Sequence, residues 1–198
     1  MKTTILNQIK QSIEVKQLLL ADQQLILQIE EAAKVIVAAY QNGNKTLIAG
    51  NGGSAGDAQH VAGELVNKFY FDRPGIPCIA LTTDTSILTA VGNDYGYDCI
   101  FERQIQAQGT KGDVFIGIST SGNSKNIVQA LAACKEKGIF SIGLTGEKEC
   151  QMDSLCDICI KVHSNETPRI QETHILIEHI ICCLVEDSLF GSLNPCKK

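Results

Sequence analysis

No run of lysine or arginine occurs in this chain, and its formal charge is -5 at pH 7. A general nucleic-acid surface and an anionic-membrane surface both need a concentrated cationic footprint, so neither partner is expected. Any phosphate site has to be local. Long apolar runs are missing as well: Met1 to Lys10 lacks the continuous apolar stretch of a signal peptide, and no later run approaches a membrane span. The expectation is a soluble cytoplasmic protein. Internal repeats, low-complexity tracts and linkers are also absent. The 198 residues, 44% of them hydrophobic, therefore read as one main domain with one substantial core.

Cysteine, by contrast, is plentiful. Nine are present, an odd number that cannot pair completely within one chain. Cys78, Cys159, Cys182 and Cys183 stand among Ile, Val and Leu, where a free thiol behaves as a small core hydrophobe. Cys156 and Cys159 have C-x-x-C spacing, but a zinc ribbon needs a second such pair, which this chain lacks.

From about Thr4 to Tyr40 no proline or glycine interrupts a Leu/Ile/Ala/Gln-rich stretch whose apolar residues recur at helical spacing. This predicts one or two long helices, closed by Asn42-Gly43-Asn44. Leu18 to Leu20 and Leu25 to Leu27 are dense enough to cover more than one helix face, which points to burial against a partner subunit. Residues 1–43 are thus expected to form a helical segment that packs in an oligomer, ahead of a domain over 44–198.

Beyond the stop, short β-rich runs alternate with helical ones. Thr46–Ala49, Ile76–Leu81, Val114–Ile118, Phe140–Leu144 and Ile158–Val162 are five strand candidates. Their apolar continuity fits an α/β fold with a mainly parallel sheet covered on both faces. Thr167 as N-cap and Pro168 at the first helical position open the last helix, which Gly191 and Pro195 end.

Ligands in such folds gather beyond the carboxyl ends of the strands, and the unusual residues lie there. The third strand runs directly into Ser119-Thr120-Ser121-Gly122-Asn123-Ser124, followed at helical spacing by Ile127, Val128 and Leu131. Free N–H groups at a helix N-terminus, the helix dipole and four hydroxyls make an anion site there without any lysine. The first strand ends in a glycine loop, Gly50 to Gly56, that fits close approach to a small substrate, with Asn51 and Ser54 supplying hydrogen bonds. The same loop satisfies the dinucleotide pattern G-x-G-x-x-[G/A]. That reading wants an acidic residue at the end of the second strand, whereas Asp72 precedes that strand and Asp84 lies far along the chain.

His60 and Glu64 follow the loop at i, i+4 and so share one helix face, where they suit a divalent metal or a proton-transfer pair. The last helix carries Gln171, His174, Glu178 and His179 among aliphatic residues. Gln171, His174 and Glu178 fall on one stripe while His179 lies beside Ile175, so spacing alone does not choose the functional members.

Taken in order, Ala49 to Ala55, His60 with Glu64, Val91-Gly92-Asn93-Asp94, Ser119 to Ser124, Arg169-Ile170-Gln171-Glu172 and His179 resemble the sugar isomerase (SIS) superfamily over essentially the whole chain. The resemblance implies a three-layer SIS fold with a five-stranded parallel sheet flanked by helices, and a homotetramer with active sites at subunit interfaces. It implies conversion of sedoheptulose 7-phosphate to D-glycero-D-manno-heptose 7-phosphate, toward the activated heptose of lipopolysaccharide or capsule. By the same carry-over, Asn51, Gly52, Gly53, Glu64, Asn93, Asp94, Ser119, Thr120, Ser121, Ser124 and Gln171 contact substrate. His60, Glu64, Gln171 and His179 match ligands of one zinc ion per active site.

Ketose–aldose isomerisation moves a proton between adjacent carbons, which needs a base, an acid and stabilisation of a developing oxyanion. Glu64 is the expected base and His179 the expected acid. The metal and proton-transfer roles compete, because a group bound to zinc is a poorer base. Gln171 and His179 are eight residues apart, about 12 Å along a helix at 1.5 Å per residue, so a neighbouring subunit is expected to complete the cluster. The alternative is a non-catalytic SIS regulator or sugar-phosphate sensor, which would share the phosphate turn but not need the proton-transfer residues.

Overall fold

The computed structural model describes residues 1–195, so Cys196 lies outside the described residues; none of the other eight cysteines forms a disulfide. The N-terminal stretch forms two helices, α1 (Lys2–Ala21) and α2 (Gln23–Gln41). Asp22 causes the break: its backbone turns extended and its carboxylate accepts the Leu25 N–H, capping α2. Gly43, at φ +79°, then turns the chain into the sheet.

Five strands follow, β1 (Thr46–Gly50), β2 (Cys78–Ala80), β3 (Val114–Ile118), β4 (Phe140–Gly146) and β5 (Ile158–Val162). All pair in parallel, as the sequence predicts, and the strand order is β2-β1-β3-β4-β5. β2 is shorter than the expected Ile76–Leu81. Pro77 has no N–H to donate to a ladder, and β2 is an edge strand whose Ile79 stays 36% exposed, so coverage of both faces fails there. The intervening helices are α3 (Gly53–Val66), α4 (Thr85–Asp94), α5 (Glu102–Gln108), α6 (Lys125–Lys137) and α7 (Thr167–Phe190). α7 starts one residue earlier than expected: Glu166 is the N-cap, its carbonyl accepting the Ile170 N–H, and Pro168 sits in the first turn where its missing N–H leaves nothing unpaired.

Alternate strand residues feed two cores. Ile48, Ile116, Ile142 and Ile160 pack with α2, α3 and α7, while Leu47, Ala49 and Phe115 pack with α5 and α6. These two layers of helices make three layers in all. Because α3 follows β1 on one face and α6 follows β3 on the other, a crevice opens between the adjacent ends Gly50 and Ile118. The glycine loop and the serine turn form its two lips.

The N-terminal helices leave a different surface. Leu19 and Leu25 are buried, but Leu18, Leu20, Ile26 and Leu27 are exposed, Leu20 by 74%. An apolar groove of about 500 Å³ lies between α1, α2 and α7, lined by Leu19, Leu20, Ile26, Ile29, Ile180 and Leu184 among others.

Candidate active site

The turn after β3 is shaped by Gly122 at φ +63°, whose N–H donates to the Ser119 carbonyl at 3.0 Å. Only glycine fits: an added Cβ would stand 2.2 Å from Cys150 Sγ. The hydroxyls of Ser119 and Ser124 meet at 2.9 Å, and those of Ser119 and Ser121 at 3.4 Å. Ser124 is the N-cap of α6 yet makes no side-chain cap bond, so the helix N-terminus keeps its anion-binding capacity. Thr120, Ser121 and Asn123 line a cleft of about 220 Å³ together with Lys148 and Thr167. Lys148 adds a cation that the sequence pattern did not single out.

Across the crevice, Gly52 at φ +57° leads into α3. Gly53 lies against Gln171 of α7: a Cβ there would stand 2.6 Å from Nε2 at the flexible end of that side chain, which would have to shift. Asn51 forms two reciprocal amide bonds with buried Asn126, at 2.9 and 2.8 Å, and accepts from the Tyr97 hydroxyl at 3.1 Å. Asn93 and Asp94 lie exposed at the end of α4 and bond to each other at 2.8 Å. Among the described residues no hydrogen bond ties them to the rest of the set. Asp84, the distant acidic candidate for a dinucleotide ribose, is instead the N-cap of α4 and accepts the Ile87 N–H.

Two turns further along α3 and α7, His60, Glu64 and His179 converge. His60 Nε2 is 2.9 Å from His179 Nε2 and 3.3 Å from Glu64 Oε1, and one ligand atom from each residue lies within 4.8 Å of the other two. His179 therefore reaches the cluster within its own chain. Gln171 is not brought to the cluster, because it sits two turns away beside Gly53. Two imidazole nitrogens and a carboxylate are a donor set suited to zinc, and the separations are near those that bonds of about 2.0–2.1 Å impose on neighbouring ligands. The three residues fit the ion.

The cluster has supports that spacing could not reveal. The Phe69 ring packs against His179 with centroids 5.5 Å apart and the ring planes inclined at 43°. Arg73, buried, donates to the carbonyls of Glu64, Leu65 and Asn67 at the end of α3 and pairs with Glu186 of α7 at 3.0 Å. Glu186 in turn accepts the Phe69 and Tyr70 N–H groups, so one buried ion pair fixes α3, α7 and the loop between α3 and β2.

The other polar residues of α7 are not a solvated stripe. His174 is fully buried and donates Nε2–H to the Thr145 carbonyl at 3.2 Å; burial pushes its imidazole down to about 4, against that hydrogen bond. Glu178 is 2% exposed, and neither carboxylate oxygen has a hydrogen-bond partner among the described residues. Burial pushes its carboxyl up to about 8, helped by the negative charge of Asp57, so the protonated acid is favoured near neutrality.

A model of the SIS domain family matches residues 13–146 of the chain. Phosphoheptose isomerase 2 of Campylobacter jejuni is 66% identical over 187 residues, 94% of this chain and 93% of the relative. Phosphoheptose isomerase of Aneurinibacillus thermoaerophilus is 63% identical over 96% of both. The solved structure of a phosphoheptose isomerase from Francisella tularensis superposes with a TM-score of 0.89 at 37% identity, covering 93% of this chain and 97% of that one.

Proposed function

The chain belongs to the SIS domain family, and we propose that it isomerises sedoheptulose 7-phosphate to D-glycero-D-manno-heptose 7-phosphate. The observation that carries this reading is the convergence of His60, Glu64 and His179 in a fold that also presents a phosphate turn. A phosphate binder needs only the turn. An isomerase also needs the acid and base, and relatives at 66% and 63% identity bear the isomerase name. The regulator reading has no comparable support.

In this reading the N-terminus of α6 and the hydroxyls of Ser119, Thr120, Ser121 and Ser124 hold the C7 phosphate. Asn51, Gly52, Gly53, Asn93, Asp94 and Gln171 contact the sugar. Glu64 takes the proton from C1 and returns it to C2, while His179 gives a proton to the C2 carbonyl oxygen and accepts one from the C1 hydroxyl. Zinc would be held by His60, Glu64 and His179, with Gln171 of a neighbouring copy as the fourth ligand. When bound, it supplies Lewis-acid polarisation of the C1 and C2 oxygens.

The apolar groove and the exposed leucines of residues 1–43 support packing against further copies in a homotetramer, with active sites at subunit interfaces. No helix among the described residues is long and apolar enough to cross a membrane, which accords with a cytoplasmic enzyme feeding heptose to lipopolysaccharide or capsule synthesis. The test is turnover of sedoheptulose 7-phosphate by purified protein. Absence of product with and without added zinc would overturn the reading in favour of a sensor.

A further inference from the structure

We propose that Asn126 is a positioning residue for the reaction: it locks the side-chain amide of Asn51 so that one N–H of that amide faces the sugar. The proposal rests on the isomerase reading above and adds a residue that none of the motif positions includes.

Asn126 lies in the first turn of α6, two residues beyond the phosphate turn, and is 3% exposed. Its Nδ2 donates to Asn51 Oδ1 at 2.8 Å and its Oδ1 accepts from Asn51 Nδ2 at 2.9 Å. The pair is a closed two-bond amide dimer across the crevice between the ends of β1 and β3. Tyr97, in the turn after α4, adds a third bond by donating its hydroxyl to Asn51 Oδ1 at 3.1 Å.

Counting donors and acceptors fixes what remains. A primary amide offers two N–H donors and an oxygen with two lone pairs. Asn126 and Tyr97 occupy both lone pairs of Asn51, and Asn126 takes one N–H. One donor is left. Turning the Asn51 amide over by itself would set oxygen against oxygen and N–H against N–H across the dimer, so Asn51 cannot flip unless Asn126 turns with it. Asn51 is half-buried and stands beside exposed Gly52 at the crevice lip, where its remaining N–H can meet a hydroxyl or carbonyl oxygen of the sugar. The same dimer sets the spacing between the glycine loop and the phosphate turn. Both ends of one substrate are thus held in register by a single buried side chain.

The experiment is a double-mutant cycle on the full chain, with sedoheptulose 7-phosphate as substrate. Asn126→Ala is expected to lower kcat/KM roughly tenfold, the scale of a lost buried hydrogen bond, and to have no further effect in an Asn51→Ala background. Tyr97→Phe, a change at an exposed side chain, serves if Asn126→Ala does not fold, and its several-fold loss is also expected to vanish without Asn51. Thermal melting separates positioning from general destabilisation, because a purely structural role would move the melting temperature and leave the kinetic effects additive with Asn51→Ala. Additive effects, or unchanged kinetics in an active wild-type background, would overturn the proposal. An inert wild type would instead overturn the isomerase reading itself.

Discussion

His60 and His179 stand 119 residues apart in the chain, yet their Nε2 atoms lie 2.9 Å from each other. Two imidazole nitrogens so close, with Glu64 at 3.3 Å, share either a proton or a cation. His60→Ala is expected to lower zinc affinity by at least the roughly 10–100-fold that even outer-shell changes cause. Equilibrium dialysis against a competing chelator measures it, with circular dichroism to show an unchanged fold. Wild-type affinity in the variant would remove His60 from the ligand set.

Glu64→Gln keeps the shape of the side chain but removes the base. Turnover should fall about 10²–10⁴-fold, with KM little changed. A parallel loss of binding, read by calorimetry with the substrate, would mark Glu64 as mainly a metal organiser.

Ser121→Ala acts at the other pole of the site. Loss of one hydroxyl to a charged phosphate should weaken binding by about 1.5–3 kcal/mol, seen as a raised KM with kcat largely kept. An unchanged KM would count against the turn as the phosphate seat.

The Arg73–Glu186 pair is fully buried and holds α3 to α7. Arg73→Met strands the Glu186 carboxylate and frees the Glu64 and Leu65 carbonyls, for an expected loss of about 3–5 kcal/mol in urea unfolding. Pairing it with Glu186→Met should recover part of that loss, because the stranded charge is then gone. A double variant as unstable as the sum of the two singles would show that the pair's backbone contacts matter more than its charge.

His174 makes stability depend on pH. Its imidazole titrates near 6.5 when unfolded and at about 4 when folded, so the unfolded chain binds more protons between these values. The contribution is therefore fully present above pH 6.5 and is lost as pH falls toward 4. His174→Gln retains a donor for Thr145 but does not titrate, and the fall in its urea midpoint from pH 7 to pH 5 should be smaller than in the wild type. An equal fall would assign the acid sensitivity to other groups.

Local pattern made much of this molecule legible. β3 and β5 occupy the segments that their apolar runs indicate, and the i, i+4 spacing of His60 and Glu64 places both in the cluster. Pro77 shortened β2 against the pattern, and Asp22 decided for two N-terminal helices where the pattern allowed one or two. Gln171, His174, Glu178 and His179 looked interchangeable on one helix. Their separate roles came from what each meets: Gly53, Thr145, the buried side of α3, and His60.

The sequence by itself determined the alternation of strands and helices, the parallel sheet, the serine turn and the first two members of the cluster. Each depends on residues close in the chain, through turn chemistry, capping or side-chain period. Only the tertiary structure decided that His179 joins His60 and Glu64 within one chain, that Gln171 does not, and that Asn126 clasps Asn51 across the crevice. Those outcomes follow from how α3 and α7 lie against each other and how far the ends of β1 and β3 are held apart. Distances of that kind belong to the packed layers, where burial on both faces of the sheet sets them.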